Sequence, residues 1–129
     1  MAIELNHTIV PARDALASAR FLTEILGLEP PRRFGPFWTV SLSNGVTLDF
    51  QDWDEMPIQH YAFLVSESEF DQIFGRIRER GLDYWADPMH ERRFEINHND
   101  GGRGVYWNDP NGHYLEIITR PYGSGSGEG

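Results

Sequence analysis

Residues 5–10 read LNHTIV, and residues 59–65 read QHYAFLV. Both are short runs with apolar residues at alternate positions and one histidine, the signature of a half-buried strand. Each leads into a helical stretch that stops at a glycine: LGL at 26–28 and RGL at 80–82. Laying one on the other puts His7 on His60 and Leu28 almost on Leu82. The closing strands, VTLDFQ at 46–51 and HYLEIIT at 113–119, then put Asp49 on Glu116. Self-similarity of this kind outranks any single-element assignment. It predicts an α+β chain built of two tandem βαβββ modules.

Local signals fill in the elements. A strand is expected over Ile3–Val10, with Ile3, Leu5, His7 and Ile9 on one face. A helix follows, N-capped by Asp14, with Ala15, Ala19, Leu22 and Leu26 as its apolar stripe and Gly27 as its stop. Strands at 38–42 and 46–51 flank Ser43-Asn44-Gly45, and Asn-Gly between apolar runs is a strong hairpin signal. The second module repeats the order: a strand at 59–65, then a helix over 68–80 with stripe Phe70, Ile73, Phe74 and Ile77. Irregular strands and a hairpin close it, the hairpin turning at Asp109-Pro110-Asn111-Gly112 as a type I turn favours. One domain over 1–122 is expected, with module one about 1–55 and module two about 56–122; the GSGSGEG run at 123–129 reads as a flexible tail.

Composition narrows the chemistry. The chain has 129 residues, 40% hydrophobic, and a net charge of −9. No cationic surface is available to displace counterions from nucleic acid, and no apolar run approaches the ~20 residues that span a bilayer. With no secretory signal evident, a cytoplasmic location is the expectation. Cysteine is absent, which excludes thiolate nucleophiles, Cys-type zinc sites and iron–sulfur clusters. Lysine is absent too, all eleven basic residues being arginine, so Schiff-base chemistry is excluded. Histidine, carboxylates, tyrosine and arginine remain, a set suited to metal binding and acid–base work.

Two matched histidines and a glutamate among apolar neighbours on the last strand supply such a site. A lone carboxylate is costly to bury unless paired or metal-bound. Two imidazoles and a carboxylate suit Fe, Mn, Ni, Zn or Co, with coordination positions left for substrate. His7, His60 and Glu116 are therefore the expected ligands of one divalent metal ion. Asp49 is a possible fourth, the competing reading being an exposed strand residue.

LNHTIV, QHYAFLV and DPNGHYLEII resemble the vicinal oxygen chelate superfamily, which includes glyoxalase I, fosfomycin-resistance thiol transferases, extradiol dioxygenases and bleomycin-resistance proteins. The resemblance runs to about Tyr122. It implies paired βαβββ modules in a cup-shaped mixed sheet, metal ligands at His7, His60 and Glu116, and a homodimer in which modules of two chains can complete each site. The presence of all three ligand types argues against the bleomycin-binding branch. The run from His98 to Glu116 also resembles the extradiol dioxygenase signature, which implies His98 as acid–base group, Tyr106 as substrate contact, and Glu116 as ligand. It departs from that signature in having Glu95 where a glycine is expected. The fosfomycin branch fits worst, its phosphonate substrate needing a cationic cradle.

The expected function is thus a metal-dependent enzyme on a small organic substrate chelated through vicinal oxygens. Dioxygenase-like chemistry is slightly favoured over a glyoxalase-like lyase or isomerase; the rival of a different class is a non-catalytic drug- or metabolite-binding protein. Phe50, Trp107 and Arg103 are the expected substrate contacts. His113 is expected to face solvent, and His90 to sit on a loop over the cup.

Overall fold

The computed structural model describes residues 2–125. The chain forms two compact units, Met1–Pro57 and Ile58–Gly129.

In the first unit, β1 (His7–Ala12), α1 (Ala15–Leu26), β2 (Arg32–Phe34), β3 (Phe37–Ser41) and β4 (Thr47–Asp52) form a sheet of order β1-β4-β3-β2. β1 runs parallel to β4, and the other pairs are antiparallel. The helix starts where Asp14 accepts a bond from the Ala17 N–H (3.1 Å) and Asp52 one from the Ala15 N–H (2.8 Å). It ends on Gly27 at φ 75°, whose N–H reaches Thr23 O at 2.8 Å. Ala15, Ala19, Leu22 and Ile25 are buried, Ile25 taking the place expected for Leu26. They pack on β1, β3 and β4, whose inward residues Val10, Ala12, Val40, Leu48 and Phe50 complete this core.

β1 begins later than the alternation suggests. Ile3 and Leu5 are 98% and 67% exposed, because β4 starts at Thr47, opposite His7, and its first backbone bond reaches back only to Asn6 O. It also runs on through Pro11, which an edge strand tolerates because no ladder bond is lost there. β2, hidden in the proline-rich PPRRFGPF, is turned into β3 by Gly35 at φ 58°.

The second unit contains β5 (His60–Leu64), α2 (Glu67–Glu79), β6 (Gly104–Asn108) and β7 (Tyr114–Ile118), with sheet order β5-β7-β6. β5 is parallel to β7, and β6 antiparallel to it. Ser66 caps α2 in a reciprocal box: its Oγ accepts from the Glu69 N–H at 3.1 Å, and Glu69 Oε1 accepts from the Ser66 N–H at 2.8 Å. Phe70, Ile73 and Ile77 are buried on α2, as are Val105, Trp107, Leu115 and Ile117 on the sheet.

The irregular strands expected between 82 and 104 reduce to single bridges: Trp85 with Arg93 and with Tyr106, and Asn97 with Gly104. The cause is local. Asp87 takes the N–H groups of Glu91 and Arg92 on its own carboxylate (2.7–3.1 Å), diverting them from any ladder.

The turn at 109–112 forms as its sequence dictates. Asp109 Oδ1 accepts from the N–H groups of Asn111 (2.8 Å) and His113 (2.9 Å), and Gly112 takes φ 95°. His113 does not face solvent. It is fully buried, its Nδ1 accepting from the Gln59 N–H at 3.0 Å, with its ring edge-on to Tyr61. Position 113 shares the parity of Leu115 and Ile117, so strand alternation sends it to the core. Residues 126–129 of the expected tail lie outside the described residues; Gly123 and Gly125 donate their N–H groups to Asp100.

Candidate metal centre and active site

Register decides which side chains meet. In the second sheet His60 pairs with Tyr114, and Glu116 lies between Ala62 on one side and Tyr106 on the other. Alternation then places His60, Tyr114, Glu116 and Tyr106 on one face, opposite the core-facing Leu115, Ile117, Val105 and Trp107. On that face His60 Nε2 meets Glu116 Oε1 at 2.9 Å, the imidazole side chain 47% exposed and the carboxylate 10%. The Tyr106 ring lies 5.7 Å from the His60 ring. Burial, the Glu116 charge and a hydrogen bond to Glu116 all push the Tyr106 phenol well above its ordinary pKa, so it stays a neutral donor.

The first sheet repeats this register. His7 pairs with Thr47, and Asp49 lies between Ile9 and Thr39. Asp49 therefore stands to His7 as Glu116 stands to His60. Its carboxylate is buried, 8% exposed, which removes the exposed-strand reading. It accepts from Thr47 Oγ1 at 3.1 Å, while the facing Thr39 Oγ1 is buried with no partner among the described residues. His7 is exposed, and Asn6 Oδ1 accepts a 2.6 Å bond from its Nδ1–H. With Nδ1 engaged by Asn6, Nε2 is the ring nitrogen left for a metal.

Nitrogen and carboxylate donors thus converge within the second unit, with Glu116 poorly solvated, and this fits a divalent ion. Two of the three expected ligands belong to that unit, and the third to the first unit. Among the described residues no group of three or more His, Cys, Asp or Glu is placed to hold a metal.

The other expected site residues fare differently. Trp107 is fully buried and Phe50 is 3% exposed, both in the cores rather than on the ligand faces. Each is the strand neighbour of a site residue, Tyr106 and Asp49, so alternation alone turns it away. Arg103 is no free anion clamp. Glu67 Oε1 and Asp71 Oδ1 hold its guanidinium at 2.8 and 2.9 Å, and it covers the Phe70 ring at 4.3 Å, fastening the start of α2 to the sheet. His98 is exposed at the head of the short helical turn Asn99–Gly101 and makes no side-chain bond to His60, Tyr106 or Glu116.

His90 is the arrival from outside the sheet. Its ring stacks on Trp85 at 3.7 Å and 4°, and on Tyr114 at 4.9 Å and 27°. Trp85 exchanges backbone bonds with Tyr106 (2.9 and 2.8 Å), so its side chain falls on the Tyr106 face. His90 and Phe94 both adopt positive φ, 61° and 62°, at a cost of about 1–2 kcal/mol each. The His90 Nε2 is buried with no partner among the described residues.

No family model matches the chain. The glutathione transferase FosA of Serratia marcescens is 30% identical over 125 residues, covering 91% of this chain and 81% of the relative. The chain belongs to the vicinal oxygen chelate superfamily. Two solved members are far more similar. Oxidase ChaP-H1 shares 67% identity at a TM-score of 0.93, covering 95% of this chain and 99% of its own. Oxidase ChaP-H2 shares 66% at 0.94, covering 97% and 99%. Among more distant superfamily structures, the fosfomycin resistance protein FosX of Mesorhizobium loti has a TM-score of 0.68 at 20% identity, a likeness of fold alone. No helix among the described residues is long and apolar enough to cross a membrane.

Proposed function

We propose that this superfamily member is a divalent-metal-dependent oxidase or oxygenase of small aromatic substrates bearing vicinal oxygens. The observation that carries the reading is the His60–Glu116 pair at 2.9 Å with Tyr106 beside it on one sheet face. The two oxidases at 66–67% identity, aligned over nearly the whole chain, support oxidation over lyase chemistry.

His60 and Glu116 would hold the ion, and His7 is proposed as its third ligand. When bound, the ion acts as a Lewis acid and template for the two substrate oxygens. Tyr106, held neutral, donates a hydrogen bond to a substrate oxygen and orients it. His98 moves a proton at the exposed edge, as its place before the Asp-Pro-x-Gly turn implies. Asp49 is a further carboxylate, direct ligand or base. The lyase reading rests on that residue, a buried carboxylate with one hydroxyl partner.

Elemental analysis of protein expressed with supplemented metals checks the site: about one ion per chain is expected, lost in His60→Ala. A metal-free wild type refutes the site. Oxygen consumption with catecholic substrates checks the reaction, and a metal-replete protein that consumes none supports the lyase or the metabolite-binding alternative.

A further inference from the structure

His60 and Glu116 occupy one half of the second sheet's ligand-bearing face. The other half, bounded by Trp85 and Tyr114, is filled by the protein's own His90. We propose that the space between Trp85 and Tyr114 is a subsite for a planar aromatic ring, and that His90 occupies it in the free protein and leaves it when a ligand ring enters. This deepens the function proposed above, on which it rests for the identity of the site.

Three observations carry it. The imidazole is sandwiched face to face, 3.7 Å from the Trp85 ring and 4.9 Å from the Tyr114 ring. Two aromatic walls, inclined at 4° and 27° to the imidazole, accept one flat ring between them. Second, His90 is a poor permanent occupant. It sits at φ 61°, and its buried Nε2 has no partner among the described residues, so the stack holds against backbone strain and a lost hydrogen bond. Third, its loop carries its own fastening. Asp87 binds the N–H groups of Glu91 and Arg92, Ala86 N–H reaches Arg92 O, and Arg93 pairs with Asp83. The 87–92 turn keeps its internal bonds whether or not the His90 ring stays in the slot. Tyr114 is in register with His60 and two residues from Glu116, so a ring held there is delivered beside the metal ligands.

The loop's competition with the ligand gives the test. A probe without vicinal oxygens, 2-naphthol, isolates the slot from metal chelation. It is titrated into the full-length chain, metal-free and with Zn(II), while the indole N–H resonances are followed and Trp85 is assigned through Trp85→Phe. The Trp85 resonance is expected to shift on titration. His90→Asn tolerates the left-handed backbone but has no ring to stack, so its midpoint is expected roughly three- to tenfold lower than wild type. Tyr114→Leu, which removes one wall, is expected to raise the midpoint about tenfold. A Trp85 resonance that ignores the probe overturns the proposal, as does a folded His90→Asn that binds no tighter than wild type. Slot binding without any metal uptake would instead refute the metal-dependent function and leave the slot standing.

Discussion

Replacing Glu116 with glutamine removes one charge and almost no volume, and it separates a metal ligand from a structural carboxylate. Glu116 is 8% exposed, and the His60 imidazole is the cationic candidate it meets among the described residues. In the metal-free protein the substitution relieves the desolvation of that carboxylate and keeps an acceptor for Tyr106. Metal-free Glu116→Gln is therefore expected to be as stable as wild type or up to about 1 kcal/mol more stable. With metal the order reverses. A ligand present at a hundred times its dissociation constant stabilises the folded state by about 2.7 kcal/mol. For a chain of 129 residues the unfolding entropy is about 0.27 kcal/mol per kelvin, so wild type should gain roughly 10 °C in Tm. Glu116→Gln, with an amide in place of the anionic donor, should gain less than about 2 °C. Differential scanning fluorimetry with Zn(II) or Mn(II), before and after chelation, reads both quantities. An equal metal-induced shift in the two proteins would refute Glu116 as a ligand. A metal-free variant destabilised by more than about 2 kcal/mol would show that the carboxylate is structural.

Three further outcomes are expected. His113→Ala leaves the Gln59 N–H without its acceptor and a hole in the core, so urea unfolding should show a loss of about 2–4 kcal/mol with metal uptake unchanged. Tyr61, pushed up to about 12 by burial and the nearby Asp109 charge, and Tyr106, pushed further, should ionise last in an ultraviolet titration. Their folded pKa values exceed the unfolded value near 10, so stability should be intact below about pH 10 and fall as pH rises toward 12. Asp87 works in the opposite sense: burial opposes its charge, but the Arg92 and Glu91 N–H groups outweigh that and hold its pKa low. The 87–92 turn should therefore persist at neutral pH and loosen only as pH falls through the acid range, seen as faster amide exchange at Glu91 and Arg92.

Repetition and period two are enough to determine most of this fold. The match of LNHTIV with QHYAFLV placed His7 and His60 at equivalent points, and the closing strands did the same for Asp49 and Glu116. The capping residues Asp14, Gly27 and Gly81 and the Asp109 turn are local chemistry and stand where the sequence puts them. Alternation, applied strictly, also held more than the aromatic content suggested: it already turned Phe50 and Trp107 away from their neighbours Asp49 and Tyr106, and His113 toward the core.

Register and partnership needed the tertiary structure. Nothing in the string states that β7 lies between β5 and β6, yet that order brings Glu116 to both His60 and Tyr106. Arg103 offered a substrate contact until α2 packed its Glu67 and Asp71 against it. The sequence put His90 on a loop over the cup, but its stacking partners appeared only when Asp87 folded the 87–92 turn and laid the imidazole between Trp85 and Tyr114. The reason is common to all three. Local propensity and pattern act over a turn or a strand, whereas a side chain's charge partner or stacking partner is chosen by which distant segments the sheet brings alongside it. His7, His60 and Glu116 stood out in the sequence as candidate ligand types at matched positions; the His60–Glu116 contact was decided by the pairing of β5 with β7.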